Sequence, residues 1–407
     1  MDEHEKNSIA DSYVANLTTL ADSLMQTDYE QASTIWREII KKDENNSKAY
    51  LGLAWIAGKQ AQWSMMLEMA QKANSTKPGD PQTFFYIGSA YQQLGQHQEA
   101  INYFLKARDM HYNEDASFYK RLAWSYFELH NYETAIDYAY QAFQLDHNSF
   151  YKDPLCSYLR KCILWLCREH FDEETYKLLE VPLKIWPDDS LLLAYKAISE
   201  MYHKKNYEAG KYYINKAFEN PIDSLDLLYE IKGSLWFDCL KKQKEGLELL
   251  EKAVSLKRNS LNIIALASRV ADTNIERAKQ LYDEAIRLEP SNINAICGMA
   301  ELAYREKKWN RGLELAKKGY GLKKNDSQIL FLLAYGYFNV GGFEKSLKFY
   351  REAEEVGYTK DVVLLYMSIA YCYQKLGQKR NALNYAEKVL SIEPENYDAN
   401  SLVADLN

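Results

Sequence analysis

The sequence predicts an all-α protein built as a tandem array of stacked helix pairs, and three observations carry that prediction. A pattern of small, aromatic and proline residues returns about every 34 positions along most of the chain. Between its returns, apolar residues follow the spacing of amphipathic helices. No stretch shows a convincing strand pattern.

With 407 residues the chain exceeds the usual size of one compact core, so either several domains or a repeat array is expected. Apolar residues at 47% and charged residues at 26% are the values of an ordinary soluble protein. Only eight prolines and no Gly/Ser- or Pro-rich linker argue against beads on a string, and 33 tyrosines point to helices packed through aromatic side chains.

The clearest unit opens at Pro81, PQTFFYIGSAYQQLGQHQEAINYFLKARDMHYNE, and related units open at 13, 47, 116, 156, 191, 227, 259, 293, 327 and 363, so that eleven cover 13–396. Unit position 8 is small at Ala54, Gly88, Ala123, Ala300, Ala334 and Ala370, and position 11 is aromatic at Tyr91, Tyr126, Tyr337 and Tyr373. Position 20 is Ala32, Ala100, Ala135, Gly210, Gly246, Ala278, Gly312, Ser346 and Ala382, failing at Met66 and Thr175. Position 27 is Ala73, Ala107, Ala142, Ala217, Ala253, Ala285, Gly319 and Ala353, and proline fills position 32 at Pro78, Pro187, Pro290 and Pro394. Small residues at 8 and 20 let the two helices of a unit approach closely, and position 27 does so between units. The aromatics fill the remaining space, and proline after the second helix punctuates the unit. One pair cannot bury its apolar face alone; stacking buries it.

This pattern resembles the tetratricopeptide repeat family. The resemblance implies a right-handed α-solenoid superhelix of stacked helix–turn–helix pairs, first helices on the concave side and second helices on the convex side. Residues 1–12 are expected as an N-terminal lead, 13–396 as the array, and 397–407 as a capping helix. The array is irregular at 150–190. An insertion lies at 150–155, and Pro182, inside the second helix of the fifth unit, should kink it. The alternative is a boundary between two sub-arrays, 13–149 and 156–396.

Chemistry-bearing motifs are sparse. HExxH, CxxC, GxSxG and the calcium-loop pattern do not occur, and no glycine-rich phosphate loop follows a strand. Cys156, Cys162, Cys167 and His170 lack the spacing of a structural zinc site and read as buried or half-buried thiols. No cofactor or metal is expected, and an enzyme is the least favoured class. The net charge of −7 without a block of lysine or arginine speaks against nucleic acid. The acidic, polar opening MDEHEKNSIADS lacks a signal-peptide pattern, no run reaches 18 apolar residues, and the scattered cysteines fit a reducing cytoplasm. A bacterial cytoplasmic protein is expected, not inserted in a membrane; oligomeric state stays open.

In this family unit positions 2, 5, 6, 9, 12 and 13 face the groove. Here they carry Trp55, Phe85, Tyr86, Trp124, Phe127, Tyr195, Tyr202, Tyr304, Phe331, Tyr335, Phe338 and Tyr371, residue types enriched at interface anchors. Some of these can instead pack against the next unit's first helix. Position 6 is Arg121, Lys161, Lys196 and Lys232 in four consecutive units, with Lys120 and Arg160 at position 5, which would lay a basic stripe through the groove. Such a stripe suits an acidic or C-terminal-carboxylate peptide, although the same lysines could be a solvated face. The lysine–asparagine clamp of chaperone-binding members is absent, since Lys120 is paired with Trp124 and Arg160 with Leu164, and so is the asparagine ladder of glycosyltransferase-linked arrays. The expected function is a non-catalytic scaffold or adaptor that binds a partner segment in the groove. The alternative is a peptide-responsive regulator that changes superhelical pitch on binding.

Overall fold

The computed structural model describes residues 3–112, 114–169, 173–221, 224–358 and 360–406. Among them every regular element is a helix, and eleven consecutive helix pairs precede a last helix, Tyr397–Leu406. The chain divides into two compact units, Met1–Tyr195 and Lys196–Asn407.

In the first unit Glu3–Leu24 pairs with Tyr29–Lys42, Ser47–Lys59 with Trp63–Thr76, Pro81–Gln93 with His97–Asp109, and Ala116–Glu128 with Tyr132–Leu145. A short helix, His147–Lys152, then precedes Pro154–Glu169. The second half of that fifth pair is not one kinked helix, as an interior proline would give, but two short pieces, Glu173–Lys177 and Pro182–Ile185. Pro182 opens the second piece, where its missing N–H costs nothing and its fixed φ suits a first helical turn. Ser190–Ile198 and a π-helical turn, Ser199–His203, run across the division to the second helix of the sixth pair, Tyr207–Ala217.

The second unit continues with Leu225–Asp238 and Gln243–Leu256, Ser260–Val270 and Ile275–Leu288, Ile293–Arg305 and Trp309–Leu322, Ser327–Asn339 and Phe343–Glu355, and Val362–Lys375 and Lys379–Ile392.

Two local devices recur. An asparagine or aspartate caps many of these helices: Asn46 accepts from Ala49 N, Asp115 from Phe118 N, Asn292 from Ala295 N and Asp326 from Ile329 N, at 2.9–3.2 Å. Each such cap contributes about 1 kcal/mol. Inside a pair the first helix ends in a left-handed residue, Ala61, Gly95, His130, Lys307, Gly341 or Gly377. The next N–H then reaches back to close the turn, as in Gln62 to Ala57 O at 2.9 Å and Gly342 to Tyr337 O at 2.8 Å.

The small residues lie where helix backbones meet. Ala32, Ala100, Ala135, Ala278, Ser346 and Ala382 at position 20 are all fully buried, as are Ala73, Ala107, Ala142, Ala253, Ala285 and Ala353 at position 27. At Gly210, Gly312 and Gly319 of the same two positions a larger side chain, from Met201, Tyr304 and Ile329, fills the space. Tyr304 shows how tight the fit is: a Cβ added to Gly312 would stand 2.2 Å from its ring, and one added to Gly336 would stand 2.3 Å from its Oη. That hydroxyl donates to Leu332 O at 3.0 Å.

Gly312→Ala is therefore expected to destabilise the second unit by about 1–3 kcal/mol through overpacking. Gly321→Ala, exposed on the same helix with nothing within 4 Å of the added Cβ, should instead stabilise it by about 0.4–1 kcal/mol. Chemical denaturation of the two variants beside the parent measures both signs.

Candidate partner-binding face

The side chains at groove positions separate into two sets. Tyr195, Tyr304 and Phe331 are only 6%, 5% and 8% exposed and belong to the core. Phe331, for example, stacks on Tyr358 with ring centroids 4.7 Å apart and meets Tyr350 edge-on. Trp55, Phe85, Tyr86, Trp124, Phe127, Tyr202, Tyr335, Phe338 and Tyr371 are half-buried, each with part of its surface on the first-helix face. Tyr202 is held inward: its hydroxyl donates to Asp238 Oδ2 at 2.5 Å, and Arg269 Nη2 donates to the same oxygen at 2.6 Å.

The six basic residues of positions 5 and 6 do not form a uniform row of solvated charge. Lys120 Nζ lies 3.0 Å from Asp153 Oδ2, and Arg160 is ion-paired with Asp189. Both carboxylates come from the irregular stretch between the fourth and sixth pairs, Asp153 from the 150–155 insertion itself. Lys196 is not at an exposed position. It is 3% exposed and lies 3.3 Å from Glu200 Oε1, on the π-helical turn, which Lys204 also approaches at 3.0 Å. Lys232 is half-buried over the rings of Phe218 and Trp236, donates to Asn215 Oδ1, and has its pKa lowered by burial. Lys161 is exposed.

Arg121 differs from the rest. Its guanidinium lies 5.6 Å from the centre of the Phe85 ring, Nη1 donates to Gln92 Oε1 at 3.2 Å, and Nε is buried without a hydrogen-bond partner. Among the described residues no carboxylate is in ion-pair contact with it; Asp115 and Asp153 act on it only through space, and burial lowers its pKa. Gln92, 6% exposed, fixes its place, because Nε2 also donates to Arg121 O and to Ser125 Oγ, both at 2.7 Å. Sequence reasoning missed Gln92; an amide at a position that must be buried in a helix stack was the available signal.

A cavity opens on the first-helix face of each unit. In the first unit, an open recess of about 370 Å³ is bordered by Trp55, Trp63, Phe85, Tyr86 and Tyr112, with Lys59, Ser89, Gln93 and Arg121 as its polar lining. In the second unit, about 460 Å³ lies among Tyr335, Phe338, Met367 and Tyr371, with Asp361, Glu393 and Asp398 at its edge. The first is lined by cations and no carboxylate, the second by carboxylates and no cation.

Groups of three or more His, Cys, Asp or Glu placed to hold a metal ion do not occur among the described residues. His170 lies outside the described residues, and burial raises the thiol pKa values of Cys156 and Cys162, which fits packed thiols. No helix among the described residues is long and apolar enough to cross a membrane.

Comparison with known proteins adds the following. Sequence profiles of the tetratricopeptide repeat match residues 87–148 and 364–396. The TPR repeat-containing protein YpiA of Bacillus subtilis (strain 168) is 24% identical over 168 residues, 41% of this chain and 38% of that protein, so the matched region spans well under half the length of this relative. A chain of the crystal structure of the APC/C hetero-tetramer Cut9–Hcn1 aligns over 97% of this chain and 89% of its own, with 14% identity and a TM-score of 0.42. Yeast Tom70 aligns over 97% and 88%, with 18% identity and a TM-score of 0.41.

The contrast between paired and solvated lysines is measurable. Lys196→Met removes one cation from the buried Glu200 carboxylate. It should destabilise the protein by about 3 kcal/mol, the low end for breaking a buried pair, because Lys204 still reaches Glu200. Lys161→Met should change stability by less than about 0.5 kcal/mol. Urea titrations of the two variants give both values.

Proposed function

The chain is a tetratricopeptide-repeat protein, and from that premise we propose that it is a non-catalytic scaffold which binds a segment of a partner protein along the first-helix face. The family and the helix-pair fold make it a protein-interaction scaffold; the location and chemistry of the binding are our reading. One observation carries that reading. In both units the half-buried aromatics at groove positions surround an open cavity of several hundred Å³. Rigid aromatic side chains beside an unfilled recess are what an interface anchor needs, because a partner side chain can bury apolar area there with little loss of side-chain freedom.

A partner segment with acidic character suits the first unit, whose cavity is lined by Lys59 and Arg121. The basic residues that already pair with Asp153, Asp189 and Glu200 contribute less, since their charge is satisfied within the fold. A bacterial cytoplasm is the compartment that the unjoined thiols, four of six buried, and the relative from Bacillus favour.

Photo-cross-linking tests the face. With Trp124→p-benzoylphenylalanine or Tyr371→p-benzoylphenylalanine, both on first helices, one partner band is expected to cross-link in cells. With Tyr212→p-benzoylphenylalanine, 60% exposed on a second helix, it should be absent or at least tenfold weaker. Equal or stronger cross-linking from Tyr212 would place the binding surface on the second helices and overturn the proposal.

A further inference from the structure

We propose that the edge of the second unit formed by the turns within its helix pairs docks peripherally on a bilayer surface rich in anionic lipid headgroups. This inference goes beyond the scaffold reading and does not depend on it, because the edge is made of turns and not of the first-helix face.

Charge is unevenly divided along the chain. Of its 50 lysines and arginines, 32 fall in 196–407, with 29 of the 57 acidic residues, so the second unit is net basic and the first strongly acidic. Within the second unit, cations gather at the turns that join first helices to second helices. Three of these turns carry an exposed lysine doublet, Lys204–Lys205, Lys241–Lys242 and Lys307–Lys308. The last turn adds Lys375, Lys379 and Arg380, likewise exposed. At the two remaining turns Asp272 is ion-paired with Arg305, and Gly341–Gly342 is uncharged. Stacking of the pairs sets these turns in a row along one edge.

The three doublets share one arrangement. One lysine of each is paired with a carboxylate: Lys204 with Glu200, Lys242 with Glu245 and Lys308 with Glu306. The other lysine, Lys205, Lys241 or Lys307, has left-handed backbone, with φ of 55°, 57° and 59°. Among the described residues none of these three forms an ion pair. Glycine takes this conformation without strain, as at Gly341 and Gly377, whereas a side chain is strained there. Nζ of Lys205 and of Lys241 each donates to a carbonyl of the preceding helix end, Tyr202 O and Asp238 O, at 2.7 Å, which suits a helix C-terminus. Lys307 has no such bond among the described residues, so capping does not account for all three. What they share is an ammonium without a counter-charge, held at the edge where glycine would be easier.

The surroundings favour a bilayer over other anions. Tyr207, 40% exposed, and Trp309, half-buried, each open a second helix two residues after a left-handed lysine. Tyrosine and tryptophan beside lysine is the composition of protein surface at a membrane–water boundary. Lysine outnumbers arginine at these turns. An ammonium on a flexible stem follows a diffuse headgroup layer, whereas the arginine fork suits nucleic-acid phosphates. The recess of the same unit is edged by carboxylates, so a phosphate chain would be repelled from it. No helix among the described residues can span a bilayer, so the contact is electrostatic and stays at the surface.

Co-sedimentation of the full-length chain with vesicles tests the edge. Vesicles of phosphatidylcholine alone are compared with vesicles of phosphatidylcholine and phosphatidylglycerol, at low and at high sodium chloride. Binding to the anionic vesicles is expected to be at least tenfold tighter and to be lost at high salt. Each lysine near an anionic surface adds roughly fivefold to binding. The combined Lys205→Gly, Lys241→Gly and Lys307→Gly variant should therefore lose at least tenfold, while melting at or above the parent temperature because glycine relieves the strain. Lys375→Gln with Lys379→Gln and Arg380→Gln should lose severalfold, which keeps the question decidable if the glycine variant folds poorly. Lys257→Gln with Lys323→Gln and Lys324→Gln, exposed in the turns between pairs on the opposite edge, should lose less than twofold. No preference for anionic vesicles, an affinity insensitive to salt, or a loss in the opposite-edge variant as large as in the other two would overturn the inference. So would a glycine variant that melts lower yet binds as tightly as the parent, the result expected of lysines present only as caps. Tighter binding to a single-stranded DNA oligonucleotide than to the vesicles at the same salt would assign the edge to nucleic acid and overturn the bilayer. The first-helix cross-links test the scaffold reading separately, and none of these outcomes alters them.

Discussion

Everything in this protein depends on how closely two helix backbones can approach. Alanine, glycine or serine at unit positions 20 and 27 is buried in pair after pair, and where the residue is glycine a bulkier side chain occupies the space beside it. Gly312 and Gly336 hold Tyr304 between them, and Gly52 lies against Trp36 closely enough that an added Cβ would stand 2.5 Å from the indole. Because the contact is between neighbours in sequence, each pair is stabilised chiefly by the pairs on either side. Stacking is what turns amphipathic helices of about fourteen residues, marginal alone in water, into a stable array.

The same constraint sorts the first-helix aromatics. A ring that fills the space over small residues, like Tyr304, or that packs among other rings, like Phe331, is consumed by the core. Other rings, Trp55, Phe85 and Tyr371 among them, are only half-buried. Unit position alone does not separate the two outcomes. The expectation that some groove-position aromatics pack inward describes Tyr195, Tyr304 and Phe331, but which three could not be read from the period.

The break in the repeat around 150–190 has a consequence for charge. Its inserted residues place Asp153 beside Lys120, the end of the fifth pair places Asp189 beside Arg160, and the π-helical turn that follows places Glu200 beside Lys196. Three of the basic residues in register are thereby paired within the fold, while Lys161 stays exposed and Arg121 lies over the Phe85 ring with the Gln92 amide for its contact.

What the sequence by itself determined is the architecture: helix pairs, their small-residue seams and their punctuation, because these obey a local period that any register reveals. The helices Ser47–Lys59, Pro81–Gln93, Ala116–Glu128, Ile293–Arg305 and Ser327–Asn339 open at the residues with which their repeats open. Pro182 was legible as a disruption but not as a helix start, since whether proline kinks a helix or begins one depends on where the preceding turn ends. What only the tertiary structure decided is which charges meet partners. Asp153 and Lys120 are 33 residues apart, and Gln92 and Arg121 are 29. Contacts across such distances depend on the packing of successive pairs and on an insertion outside the period, and no pattern of spacing encodes them.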